Sequence, residues 1–261
     1  MIMATAYRDI QFGVTDRVAR ITLARPPLNV FTISMMKEIS GAIQRIGALR
    51  DACAVVITAS PASPVFSAGV SVEDHRPETV YQMLEAFHGI FRSLALLSKP
   101  VVAAVNGAAL GGGCELVAFA DIVIASQTAR FGQPEIKLGV FPPVSSVILP
   151  RVIGQKKALE MILTGELINA EEARSLGLVS YVVSSPELEK KTEEILNMLR
   201  QKSAPALEMA RRAVTSCDGL AFEEALKKAE YIYLNELMSL KDPIEGIEAF
   251  IEKRQANWKH K

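Results

Sequence analysis

Apolar positions in the first half of the chain fall into short β-branched runs. Val18–Leu23 and Ala54–Ala59 are bounded by turn residues, as strands buried inside a sheet are. Val101–Val105 follows Lys99-Pro100, and residues 122–125 follow Asp121, with the same pattern. Between these runs the period becomes helical: residues 35–49 after Ser34, and residues 78–97, where Pro77 suits a first helical turn. Strands alternating with helices produce an α/β fold with mostly parallel pairing.

Beyond about Gln155 the strand signal fades. Asn169-Ala-Glu-Glu172 reads as a helix start, Gly177 stands where a C-terminal cap belongs, and residues 179–183 form a last strand. Amphipathic helices follow at 187–201, 205–217, 222–240 and 243–254. The pattern divides the chain into an α/β body, residues 1–196, and a helical tail, residues 197–261. A tail this apolar on one face must bury that face on its own body or on a partner chain. Burial partly on a partner is the expectation.

Composition narrows the partners. The 261 residues carry 29 Lys+Arg against 29 Asp+Glu, so no cationic excess exists for nucleic acid or an anionic membrane. The basic pairs Arg211-Arg212, Lys227-Lys228 and Lys253-Arg254 alternate with acids and read as solvated helix faces rather than an RNA site. The longest apolar stretches, near 101–105 and 116–120, fall far short of the roughly 18 residues of a membrane span. No secretory signal is visible at the start of the chain. Cys53, Cys114 and Cys217 are widely spaced, without a Cys-x-x-Cys, and His75, His88 and His260 lie apart from them. The cysteines read as core fillers of a cytoplasmic protein, and no metal site is expected.

The candidate chemistry begins at Asn106-Gly-Ala-Ala-Leu-Gly-Gly-Gly-Cys-Glu115, directly after the Val101–Val105 strand. A strand, a glycine-rich turn and a helix start form an anion-binding device, because the free N–H groups of a first turn favour negative charge. A P-loop would end Gly-Lys-Ser/Thr, whereas this loop ends Gly-Cys-Glu. A dinucleotide fingerprint would space its glycines Gly-x-Gly-x-x-Gly, whereas these fall at 107, 111, 112 and 113. What remains is a loop whose amides face a smaller developing anion, with the Glu115 carboxyl nearby. Pro64-Val-Phe-Ser-Ala-Gly69 offers a second turn suited to presenting a backbone N–H. Ala129-Arg-Phe-Gly-Gln-Pro-Glu135-Ile-Lys-Leu-Gly139 offers a second carboxyl, Glu135, after a proline.

These segments, with Arg25-Pro-Pro-Leu-Asn29, Ala120-Asp-Ile122, Leu163-Thr-Gly165 and Glu245-Gly-Ile-Glu-Ala-Phe250, resemble the crotonase (enoyl-CoA hydratase/isomerase) family over almost the whole chain. The resemblance implies a spiral of β-β-α turns, with C-terminal helices forming a homotrimer that can pair into a hexamer. It implies an acyl-CoA substrate, with CoA arriving as part of that substrate and no separate cofactor. The oxyanion hole it implies is the backbone N–H groups of Ala68 and Gly112, with Gly69, Val70 and Ser71 also against the substrate. The two glutamates of the family's hydratases fall on Glu115, which activates water, and Glu135, which supplies the proton. Isomerases of the family commonly keep one such acid, so the pair favours a hydratase.

The sequence departs from the family at Gly139-Val-Phe-Pro-Pro-Val-Ser-Ser-Val147, where a glycine-rich stretch is usual. Phe141, Pro142, Pro143 and Val144 are expected to wall the acyl pocket there, with Ser145 and Ser146 capping a helix rather than acting as nucleophiles. With Val70-Ser-Val-Glu-Asp-His75, this loop is similar to members that hydrate cyclohexa-1,5-diene-1-carbonyl-CoA; a short-chain enoyl-CoA hydratase or isomerase is the alternative. Asp74 and His75 are read as an exposed turn.

Overall fold

A computed structural model describes residues 7–49 and 51–260. Its first hairpin joins β1 (Ile10–Thr15) to β2 (Val18–Leu23) through Asp16 and Arg17, both with positive φ. Two left-handed residues give the mirror-image turn that matches the right-handed twist of paired strands. From β2 the sheet runs parallel through β3 (Ala54–Ala59), β4 (Val101–Val105), β6 (Ile122–Ser126) and β9 (Tyr181–Val183). A second, small sheet holds β5 (Ala109–Leu110), β7 (Arg130–Gly132) and β8 (Leu167–Asn169).

Alternation along the buried strands feeds two apolar clusters. Ile21, Val55, Ile57 and Ala103 join one core with α1 (Ile33–Gly47) and α2 (Val80–Leu96), whereas Val56, Val102 and Ile124 join a second. That second face is covered by α7 (Leu188–Arg200) through Leu188, Ile195 and Leu196. A parallel sheet buried on both faces is why β3 and β4 read as continuous apolar runs rather than alternating ones.

Four short helices shape the middle of the chain. α3 (Gly112–Ala118) follows β5, α4 (Pro143–Ile153) and α5 (Gln155–Thr164) pack on each other, and α6 (Ala170–Ser175) precedes β9. The sequence expectation for α1 needs adjusting: Thr32, not Ser34, is the cap, and its side chain accepts the Met35 N–H at 3.3 Å. In α4, Pro142 holds the cap position, so Ser145 and Ser146 lie inside the first turn instead of capping it.

The tail forms α8 (Ala204–Ser216), α9 (Phe222–Tyr231) and α10 (Lys241–Ile251). The expected continuous helix over 222–240 changes to π-helical and 3-10 turns after Tyr231. Buried Lys99 anchors α8 to the body through Glu208 (2.6 Å), and Arg211 reaches Asp121 (2.7 Å). The tail is thus tied back by ions, while Val214, Phe222, Tyr231, Leu234, Phe250 and Ile251 remain exposed. Among the described residues no helix is long and apolar enough to cross a membrane.

Candidate active site

The loops that leave β3 and β4 at their carboxyl ends meet beside the small sheet, the usual place for a site in a parallel α/β fold. The Arg25–Asn29 motif braces the first loop. The Arg25 N–H donates to Asn29 Oδ1 (2.9 Å), and Asn29 Nδ2 donates to the Phe66 carbonyl (3.0 Å). Ser67 Oγ donates to the Asn29 carbonyl (2.8 Å) and accepts the Gly69 N–H (3.1 Å). Gly69 has φ 93°, and a Cβ there would stand 3.4 Å from Gly112 N and 2.9 Å from the Leu110 carbonyl. Glycine lets the two loops close on one another.

This bracing corrects one sequence expectation. The Ala68 N–H already donates to the Leu28 carbonyl (2.9 Å), so it is not free to bind an oxyanion. One residue beyond Gly69, the Val70 N–H makes no hydrogen bond among the described residues, and the Val70 side chain lies against Gly112. Gly112 is the first residue of α3, where an amide has no partner within its helix. The unengaged pair is therefore Val70 and Gly112.

Glu115 lies one turn into α3 and is 2% exposed. Its Oε1 accepts the Ser145 N–H at 2.7 Å, so the carboxyl sits at the starts of both α3 and α4. Burial nevertheless dominates and pushes it up to about 8; the Ser145 N–H opposes this, and the charge of Glu135 adds to it. Glu135 lies on the 3-10 turn Pro134–Leu138, where the proline fixes the approach of the chain. Burial raises Glu135 to about 7, and its Oε2 is buried without a hydrogen-bond partner. Gly111 supports it from below: with φ 51° and ψ −124°, its backbone faces Glu135 Oε1 where a Cβ would collide. Two carboxyls whose acidities lie close to neutrality can hold one proton between them.

Both carboxyls open into a cleft of about 570 Å³. Ala68, Gly69, Val70, Phe141, Pro142 and Pro143 line it as the sequence predicts. Three expected residues do not: Gly112, whose neighbour Gly111 lines the cleft instead, Ser71 and Val144. Ser71 is buried and donates to Glu73 Oε2 (2.9 Å), and Val144 packs toward the core. Sequence reasoning missed the opposite wall, Val80, Met83, Leu84 and Phe87 of α2. The amphipathic period of α2 announces a buried face without saying which part of it meets a cleft. His75 lines the cleft as well, instead of standing in an exposed turn, and its Nδ1 is 2.9 Å from the Ser71 carbonyl. Cys114, fully buried with its thiol pushed up to about 12, is inert. Among the described residues no group of three His, Cys, Asp or Glu could hold a metal ion.

Residues 13–261 match the family model for enoyl-CoA hydratase/isomerase. The chain belongs to that family. It is 40% identical over 264 residues to the "Probable enoyl-CoA hydratase echA8" of Mycobacterium leprae, covering 98% of this chain and 99% of the relative. It is 37% identical over 249 residues to a cyclohexa-1,5-dienecarbonyl-CoA hydratase of Thauera aromatica, covering 93% of each. The crystal structure of an enoyl-CoA hydratase from Bacillus anthracis superposes with a TM-score of 0.92 at 30% identity, covering 97% of this chain and all of that one. The α/β fold is the crotonase fold that the motifs implied, and the enoyl-CoA hydratases it resembles are hydro-lyases.

Proposed function

We propose that this enzyme adds water across a double bond conjugated to a CoA thioester, and that its acyl group is the ring of cyclohexa-1,5-diene-1-carbonyl-CoA. The observation that carries the reaction class is the placement of two carboxyls with raised pKa values beside one pair of unengaged amides. The thioester oxygen sits between the Val70 and Gly112 N–H groups, which stabilise the enolate as charge moves onto that oxygen. Glu115 takes a proton from water as its oxygen bonds to the substrate carbon, and Glu135 delivers a proton to the α-carbon. A proton passed from Glu115 to Glu135 then restores the pair.

This division needs Glu115 ionised and Glu135 protonated; burial raises both carboxyls toward neutrality, where either can carry the shared proton. Glu115 is already fully buried, but Glu135 is half-buried, so an acyl group filling the cleft desolvates Glu135 further and raises it. The Ser145 N–H donates to Glu115 and favours its ionised form.

Support for the ring comes from the Phe141-Pro142-Pro143 wall and from the Thauera aromatica relative. The 40% identity to the Mycobacterium leprae protein supports a straight-chain enoyl group as the second reading. The exposed apolar residues of α8, α9 and α10 support a homotrimer, alone or paired as a hexamer, with the catalytic body in residues 1–196 and the assembly region in 197–261. The reaction needs no cofactor beyond the CoA of the substrate, and a cytoplasmic acyl-CoA pool would supply it.

Incubation with crotonyl-CoA and with cyclohexa-1,5-diene-1-carbonyl-CoA, following water addition, separates the readings. The expected result is a higher kcat/KM for the diene. A preference for crotonyl-CoA assigns the straight-chain substrate, and water addition to neither refutes hydration. Glu135→Gln is expected to lose about 10²- to 10⁴-fold in kcat; full activity would sink the two-carboxylate mechanism.

A further inference from the structure

The structure leaves the hydroxyl of Ser145, in the first turn of α4, in an unusual position. The residue is 0% exposed, and its Oγ makes no well-formed hydrogen bond among the described residues, although it lies near enough to the Glu115 carboxyl to favour its ionised form. A buried hydroxyl without a partner destabilises a fold, and an apolar residue of similar size would not carry that cost. Its backbone N–H is not idle: it is the donor to Glu115 Oε1 at 2.7 Å. The first turn of α4, beginning at Pro143, holds this N–H in place, and Ser146 secures the turn through Oγ to the Pro142 carbonyl (2.9 Å).

We propose that Ser145 is a positioning residue for water addition, whose hydroxyl donates to the Glu115 carboxylate when that carboxyl is ionised. Its N–H and O–H then hold the base from one residue. A hydroxyl suits this because it rotates, donating to a carboxylate and accepting from a carboxylic acid. It therefore follows the proton of Glu115 through the cycle, which a fixed amide cannot do. The inference rests on the hydratase reading, since it assigns Glu115 as the base.

The other ionisable groups near Glu115 do not replace this role. Glu135 faces it across the cleft and raises it, and the neighbouring Cys114 thiol stays neutral. His75 and Lys137 line the same cleft, with Lys137 paired to Glu166 (3.3 Å), and Arg151 of α4 is paired to Asp218.

The test compares Ser145→Ala and Ser145→Thr with the parent. Titration of the Glu115 carboxyl by carbon-13 NMR of labelled protein, assigned with Glu115→Gln, needs no substrate. Ser145→Ala is expected to raise the midpoint by about one pH unit, the scale of one hydrogen bond to a carboxylate. Ser145→Thr, which keeps the hydroxyl, is expected to restore it. The acidic limb of kcat/KM should move upward in parallel in Ser145→Ala, with kcat falling several-fold and KM nearly constant. An unchanged carboxyl midpoint in Ser145→Ala overturns the proposal. Failure of the parent to hydrate any enoyl-CoA overturns the hydratase reading instead, and the NMR midpoint still decides whether Ser145 acts on Glu115.

Discussion

Gly111→Ala tests how the glycine loop positions the carboxyl pair. Gly111 has φ 51° and ψ −124°, a region that residues with a Cβ rarely enter, at a cost of about 1–3 kcal/mol. The added Cβ would collide with Glu135 Oε1 and stand 3.3 Å from its carboxyl carbon. Relieving the collision requires the carboxyl to swing away by roughly 1 Å, a misplacement that costs about 10²-fold in rate. The two effects are separable. Backbone strain lowers the thermal midpoint by about 2–4 °C for each kcal/mol in a chain of this size, whereas displacement of Glu135 lowers kcat. Calorimetry and initial rates on the preferred enoyl-CoA read them independently. The expected variant folds, melts several degrees lower and turns over about a hundredfold more slowly. A kcat within threefold of the parent would refute the claim that Gly111 positions Glu135, whatever the melting temperature.

The two raised carboxyls also set how stability depends on pH. Glu115 moves from an ordinary 4.5 to about 8, so between those values the unfolded chain has released a proton that the folded chain keeps, and stability falls as pH rises. Glu115→Gln removes this loss: its urea stability should match the parent near pH 4.5 and exceed it by at most about 5 kcal/mol above pH 8, and a difference that shrinks with rising pH would contradict the assignment. Glu208→Ala strands buried Lys99 and should cost about 2–4 kcal/mol in urea unfolding, while the pair Lys99→Met with Glu208→Leu recovers most of it. A loss below about 0.5 kcal/mol would mean that this ion pair does not anchor α8.

The elements legible in the sequence are those whose periodicity is set by burial on both faces. β3 and β4 coincide with their apolar runs because every residue in them is covered, by one core or the other. β5, β7 and β8 went unread, since strands of two or three residues have no room for a period. β1 also went unread: its interior positions alternate between half-buried and exposed, and its last residues lead into a turn made by two non-glycine residues at positive φ.

The amino-acid sequence by itself determined the fold class, the order of the main elements, the two carboxyls and the glycine loop opposite them. Those features are local or repeat along the chain. Only the tertiary structure decided which amides remain free, because the use of the Ala68 N–H by Leu28 depends on a loop some forty residues earlier. It also decided that Ser145, thirty residues beyond Glu115, supplies that carboxyl with its donor. Two helix starts from separate segments converge on one buried acid there. Neither segment signals this contact, because hydrogen bonds between distant segments leave no period in the sequence.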